Sequence, residues 1–193
     1  ANTIAFEFLA GDAPLNRNDE FLYALFVPAR ASQALPVFDQ PDLKARWTLS
    51  MTTPAGWTGI SNGRASSDDA ASGERRMSFA ETDPISTYLF TFAAGRFDVV
   101  AESRGGREYR MLHRETDAAK LARNQAAIFD LHASALAWLE SYTGIGYPFG
   151  KFDFVLAPAF PFGGMVHPGA VFYNEESFIF RERPTLTQRL ARQ

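Results

Sequence analysis

The sequence has no cysteine among its 193 residues. Disulfides and thiolate metal sites are thereby excluded, and the redox compartment is left open. Histidine is scarce: His113, His132 and His167 are the only three, and none lies three or four residues from another. No H-E-x-x-H is present, so no helix carries a two-histidine zinc clamp, and no residue of this chain is assigned to a metal. No G-x-S-x-G turn is present either, so nothing supports a serine nucleophile, and no residue is assigned a catalytic role. Basic charge is not in excess. Nineteen Lys and Arg stand against 22 Asp and Glu, for a net charge of −3. A nucleic-acid partner calls for a basic footprint, and clusters such as Arg75-Arg76 are too short to supply one. No apolar run approaches the ~18 residues that a membrane-spanning helix needs. No segment reads as a signal peptide, and nothing places the chain in a compartment.

What is present is apolar bulk. Apolar residues make up 46% of the chain, and 18 are phenylalanine, enough for one large domain or parts of two with an aromatic core. Residues 1–112 read as β structure, mostly antiparallel. Ile4, Phe6 and Phe8 alternate with other residues, as do Trp47, Leu49 and Met51. "FLYALFV" (21–27) is continuous enough for a strand buried on both faces. "TYLFTFAAG" (87–95), "FDVVA" (97–101) and "EYRML" (108–112) complete the series, with Phe6, Phe8, Leu25, Leu89, Phe90 and Phe92 expected among the buried residues. "GDAPLNRND", "TTPAGWTG", "SSDDAASGE" and "SRGGRE" read as turns between the strands. Residues 65–73 read as a short linker, with Asp68-Asp69 a solvated turn. Short strands at this spacing indicate a sandwich or a curved sheet.

Near residue 115 the pattern changes. Asp117 can cap a helix, and Ala118 to Tyr142 contain no Gly or Pro. Ile128, Leu131, Ala135, Trp138, Leu139 and Tyr142 share one helical face, and His132 is expected to be a partly exposed helix residue. "GIGYPFGK" stops the helix. "KFDFVLAP" (151–158) and "GAVFYNEESFIF" (169–180) read as strands, and "TLTQRLARQ" reads as the start of another helix. The fold class is thus α+β, with a boundary at 114/115. The chain starts on Ala1 without a methionine, as expected of a piece of something longer.

"FPFGGMVHPGAVFYNEESF" (160–178) is the most site-like stretch. The Gly163-Gly164 pair fits either a tight turn after Pro161 or a surface that another backbone approaches, as in strand addition. Glu175-Glu176 reads first as an edge pair held in water, and second as a pair facing a cleft.

This stretch resembles the G-[AG]-M-E-[NH] segment of the zinc aminopeptidases of the membrane alanyl aminopeptidase type, a gluzincin family. "LFVPARASQALPVFDQPDLKA" (25–45), "PISTYLFTFAAGRF" (84–97) and "YTGIGYPFGKFDFVLAPAF" (142–160) are similar to other segments of that family, in the family's order. Four ordered matches set aside a β domain unrelated to peptidases. The resemblance implies an amino-terminal β saddle over residues 1–114 and the start of a thermolysin-like catalytic domain over 115–193. The zinc-binding helix is expected only after the last residue. It implies zinc in the full-length protein, none bound by this chain, and a peptide as substrate. Gly163, Gly164, Met165, Val166 and His167 are the substrate-binding residues it implies. In the family a glutamate stands at the place of Val166 and holds the substrate's α-amine, which a valine cannot do. The expected function is therefore a fragment of a zinc aminopeptidase, inactive as this chain. The alternative is a non-catalytic peptide-binding or assembly module of the same descent. A chain cut through a catalytic domain is also expected to self-associate through the apolar surface so exposed.

Overall fold

A computed structural model describes residues 2–71 and 73–192. Ala1 and Gln193, on which the reading of a cut chain turns, lie outside the described residues. The chain forms two compact units, residues 1–96 and 97–193.

The first unit is built from antiparallel strands: β1 (Leu15–Arg17), β2 (Phe21–Ala24), β3 (Leu49–Pro54), β4 (Thr58–Ser61), β5 (Ala65–Ala71), β6 (Glu74–Phe79) and β7 (Phe92–Gly95). They make two sheets, ordered β1-β2-β7-β4 and β3-β6-β5. One core gathers Ala24, Phe26, Ala31, Ala34, Ile85 and Phe90. Trp47 stacks on Phe90 at 4.3 Å between ring centroids, a favourable aromatic spacing.

Three expectations for this unit are corrected. Residues 2–10 form no strand, and Ile4, Phe6 (63% exposed) and Phe8 are not buried. Alternation supplies an apolar face, but a strand also needs a neighbour for its ladder, and these residues have none among those described. Second, "SSDDAASGE" is no linker, because residues 67–71 pair residue by residue with β6, after a register shift between Ala65 and Ser67. Every described side chain of β5 is exposed, so no apolar pattern marks it. Asp68 instead grips the Arg75 guanidinium through both carboxylate oxygens at 2.6 Å, the bidentate geometry that fixes partner and register together. Third, Thr87–Leu89 is a 3₁₀ turn rather than strand. Side chains hold it there: Thr87 donates to Asp39 at 2.6 Å, and Asn62 donates to the Leu89 carbonyl at 2.9 Å.

The second unit holds β8 (Asp98–Arg104), β9 (Arg107–His113), α1 (Ala118–Thr143), β10 (Phe152–Ala157), β11 (Gly164–Met165), β12 (Ala170–Asn174) and α2 (Leu186–Arg192). Its sheet is ordered β11-β12-β10-β9-β8. β10 runs parallel to both neighbours, β9 and β12. A parallel pair needs a long crossover, and α1 provides it between β9 and β10. All six residues of β10 are buried, which is why "FDFVLA" reads as a run rather than an alternation. β8 and β9 belong to this sheet, so the compact units divide between Arg96 and Phe97, upstream of the change in sequence pattern.

α1 starts where expected. Asp117 accepts from the Lys120 backbone N–H at 3.0 Å, satisfying one of the donors a helix start leaves open. Gly144 ends it with φ 68° and its N–H on the Glu140 carbonyl. The buried face differs from the expected one. Asn124, Ile128, Phe129, His132 and Leu136 face inward, while Trp138 (61% exposed), Leu139 and Tyr142 are exposed. Both stripes have helical spacing. The sheet chooses between them by offering the aromatic bed of Phe154, Tyr173 and Phe178. His132 lies flat on Phe154, centroids 4.1 Å apart, and is not partly exposed. Its Nδ1–H reaches the Ile128 carbonyl at 2.8 Å, so one polar group of the ring is satisfied inside the core. α2 opens with a reciprocal cap. The Gln188 side chain accepts from the Thr185 N–H, and the Thr185 hydroxyl accepts from the Gln188 N–H, the capping-box exchange.

Candidate functional site

β11 is the two-residue edge of the second sheet. It pairs antiparallel with β12, Gly164 opposite Tyr173 and Met165 opposite Phe172. The Gly163 carbonyl extends the ladder by accepting from the Asn174 N–H at 3.1 Å. No strand pairs with the other side of β11 among the described residues. Such an edge presents backbone donors and acceptors outward.

The two glycines serve different needs. Neither is in the left-handed region, so turn conformation does not require them. A Cβ on Gly164 would stand 2.8 Å from Tyr173 Cδ1 and 3.3 Å from the Phe172 carbonyl oxygen, whereas a Cβ on Gly163 would meet nothing within 4 Å. Gly164 lets β11 lie close on β12. Gly163 leaves the outer approach open. Gly164→Ala should therefore cost about 1–3 kcal/mol of stability, the usual penalty of overpacking, and Gly163→Ala less than about 0.5 kcal/mol. Denaturant unfolding of the two variants checks this, and equal costs would refute the assignment.

Met165 is half-buried, and Val166 is 70% exposed. His167 turns the other way. It is 1% exposed, edge-on to Phe172 at 5.1 Å, and neither ring nitrogen has a hydrogen-bond partner of normal geometry among the described residues. Burial pushes its pKa down to about 3, with the Ala170 backbone acting more weakly the other way. His167 is thus a neutral core residue. His113 and His132 are also buried, and burial lowers the pKa of each. The three histidines do not converge, and no group of three or more His, Asp or Glu among the described residues is placed to hold a metal ion.

Glu175 and Glu176 follow β12 at the end away from Val166, in a 3₁₀ turn capped by Asn174. They open onto a separate cavity of about 640 Å³, shared with Glu115, Lys120 and Arg183. Burial raises the pKa of Glu175, while the Lys120 ammonium holds the Glu115 carboxyl below its usual range. The spacing of residues 160–178 could not reveal this separation, because it depends on where β12 ends. No described helix is long and apolar enough to cross a membrane.

Antiparallel sheets in one unit, and a mixed sheet with a crossover helix and a glycine edge in the other, define an α+β protein. The peptidase M1 N-terminal domain model matches residues 15–89, and the peptidase family M1 domain model matches residues 127–192. The chain belongs to the M1 peptidase family. An aminopeptidase N of Haemonchus contortus is 30% identical over 173 residues, covering 86% of this chain and 17% of that protein. A puromycin-sensitive aminopeptidase of Caenorhabditis elegans is 29% identical over 181 residues, 92% of this chain and 19% of that protein. The human glutamyl aminopeptidase is 27% identical over 154 residues, 79% of this chain and 16% of that protein. The chain thus spans 16 to 19% of the length of these relatives.

Proposed function

We propose that this chain is part of a zinc-dependent aminopeptidase, and that the edge at Gly163, Gly164, Met165 and Val166 receives the substrate peptide. In this reading residues 1–114 are the rear of an amino-terminal β domain, and residues 115–193 begin a thermolysin-like catalytic domain. One observation carries it: a short edge strand whose outer side is unpaired among the described residues and whose Gly163 leaves room for another backbone. A peptide added there gains main-chain hydrogen bonds, and side chains at the edge select among peptides. His167 supports the edge from within the core and does not touch the peptide. Zinc in the full-length protein would supply an activated water, but the described residues do not fit as its ligands. In this reading the chain alone is inactive. Self-association belongs to the same proposal, through the exposed Trp138, Leu139, Tyr142 and Ile145.

A second reading has its own support. Val166 is apolar and exposed at the place where the resembled family has its amine-binding glutamate. A non-catalytic peptide-binding module would need no amine anchor. Amide NMR titration of this chain with short peptides tests the shared part, and shifts confined to Gly163–Val166 and β12 are expected. Shifts elsewhere, or none at millimolar peptide, would overturn it. Hydrolysis of amino-acid anilides by the full-length protein, abolished by a chelator, separates the two readings.

A further inference from the structure

The loop that leaves the edge strand returns to the sheet through Gly169, whose backbone is held on both sides by side chains from the segment after α1. The Gly169 N–H donates to the Tyr147 hydroxyl at 3.2 Å. The Gly169 carbonyl accepts from the Lys151 ammonium at 2.7 Å and from the Asp153 N–H at 3.2 Å. Gly169 has φ 75°, which glycine adopts readily in a turn after a proline, and these partners fix that turn against the sheet. Lys151 is itself fixed, with its ammonium 3.0 Å from Asp153 Oδ2 and both side chains buried. Arg110 reaches the same carboxylate oxygen at 3.5 Å. Tyr147 is anchored too: its backbone N–H donates to Glu140 of α1 at 2.7 Å. The Ala170 N–H on the His167 carbonyl closes the turn. A buried lysine is rarely left unpaired, and here one ammonium joins a carboxylate to the carbonyl of a glycine beside the candidate site.

We infer that Tyr147 and Lys151 are positioning residues, a clamp on Gly169 that sets where Val166 and β11 lie against β12. The peptide-binding part of this inference rests on the proposed function; the clamp itself does not. Only three residues separate Met165 from Gly169. A shift of Gly169 is therefore passed along a short tether to the edge strand, whose own ladder is two residues long and weak.

Tyr147→Phe removes one oxygen and keeps the ring that packs on Phe152. Lys151→Met removes the ammonium and keeps most of the stem. Amide hydrogen exchange on this chain is the primary readout. Amides of residues 164–167, 169 and 170 are expected to exchange about threefold to tenfold faster in Tyr147→Phe, the size of one lost hydrogen bond, with rates in α1 and β8 unchanged. Lys151→Met should raise them further, and Lys151→Arg should restore part of the protection. Equal acceleration throughout the second unit would show a merely structural role and overturn the inference, as would unchanged rates at residues 164–167, 169 and 170. The second readout is peptide affinity, expected to weaken about threefold to tenfold in Tyr147→Phe. Local acceleration with unchanged affinity would overturn the positioning role. If the unaltered chain binds no peptide, the proposed function fails, and the exchange rates alone decide the clamp.

Discussion

Lowering the pH from 7 to 4.5 should destabilise the chain by about 2–3 kcal/mol through His167 alone. In the unfolded chain His167 titrates near its ordinary value of 6.5, and in the folded chain burial holds it near 3. Between those values the unfolded state carries the proton and the folded state does not. Stability is therefore complete above pH 6.5 and falls as the pH drops toward 3. His132 acts in the same direction, because burial also lowers its pKa. Glu115, held low by Lys120, adds to the loss at the acid end. Glu175 opposes it: its raised pKa favours proton uptake by the folded state. Urea unfolding at pH 7, 5.5 and 4.5 measures the slope. His167→Leu should flatten it by about 2–3 kcal/mol over that range. An identical slope in both proteins would show that the ring takes up its proton without unfolding, and His167 would then no longer count as a neutral core residue.

In the full-length protein, Val166→Glu should raise kcat/KM for amino-acid anilides at least about tenfold. A charge-assisted hydrogen bond to a buried ammonium contributes about 1.5–3 kcal/mol, roughly 10- to 150-fold in binding or rate. Under the proposed function, a substrate ammonium bound at residue 166 of the full-length protein would face an apolar side chain, which adds to the cost. The side chain at 166 stands free of the core at 70% exposure, so a glutamate can enter without repacking. The rival anchor is Glu175 or Glu176. Both open onto the cavity with Glu115 and Lys120, at the end of β12 that lies beside Gly163 and away from Val166. Kinetics on the unmodified protein, Val166→Glu and Glu175→Gln decides. Efficient turnover by the unmodified protein, lost in Glu175→Gln and unaffected by Val166→Glu, would move the anchor to Glu175 and remove the proposed role of residue 166.

The local signals in the sequence were sufficient where the cause of structure is itself local. Asp117 as cap, the unbroken run from Ala118, Gly144 as stop and the apolar run of β10 each depend on neighbours a few residues away. The hairpin turn between β8 and β9 is of the same kind. The ordered resemblance to the M1 peptidases was also legible, because it rests on residue identity at fixed spacing. Gly164 and Met165 form the edge strand β11, with Gly163 and Val166 at its two ends.

Tertiary structure decided what depends on partners far along the chain. Phe6 and Phe8 alternate like a strand and are exposed, because no described neighbour completes their ladder. β5 has no apolar pattern and is a strand, because β6 offers a register and Arg75 clasps Asp68. α1 carries two stripes of helical spacing, and the aromatic bed of the sheet buries the one that contains His132. His167 stands between an exposed valine and a proline in sequence, yet its ring is inside the core. The clamp on Gly169 joins residues 147, 151, 153 and 169, which only the parallel pairing of β10 and β12 brings together. Periodicity states which faces a chain can bury; the sheet it meets determines which face is buried, because burial requires a complementary surface and a complete set of hydrogen bonds.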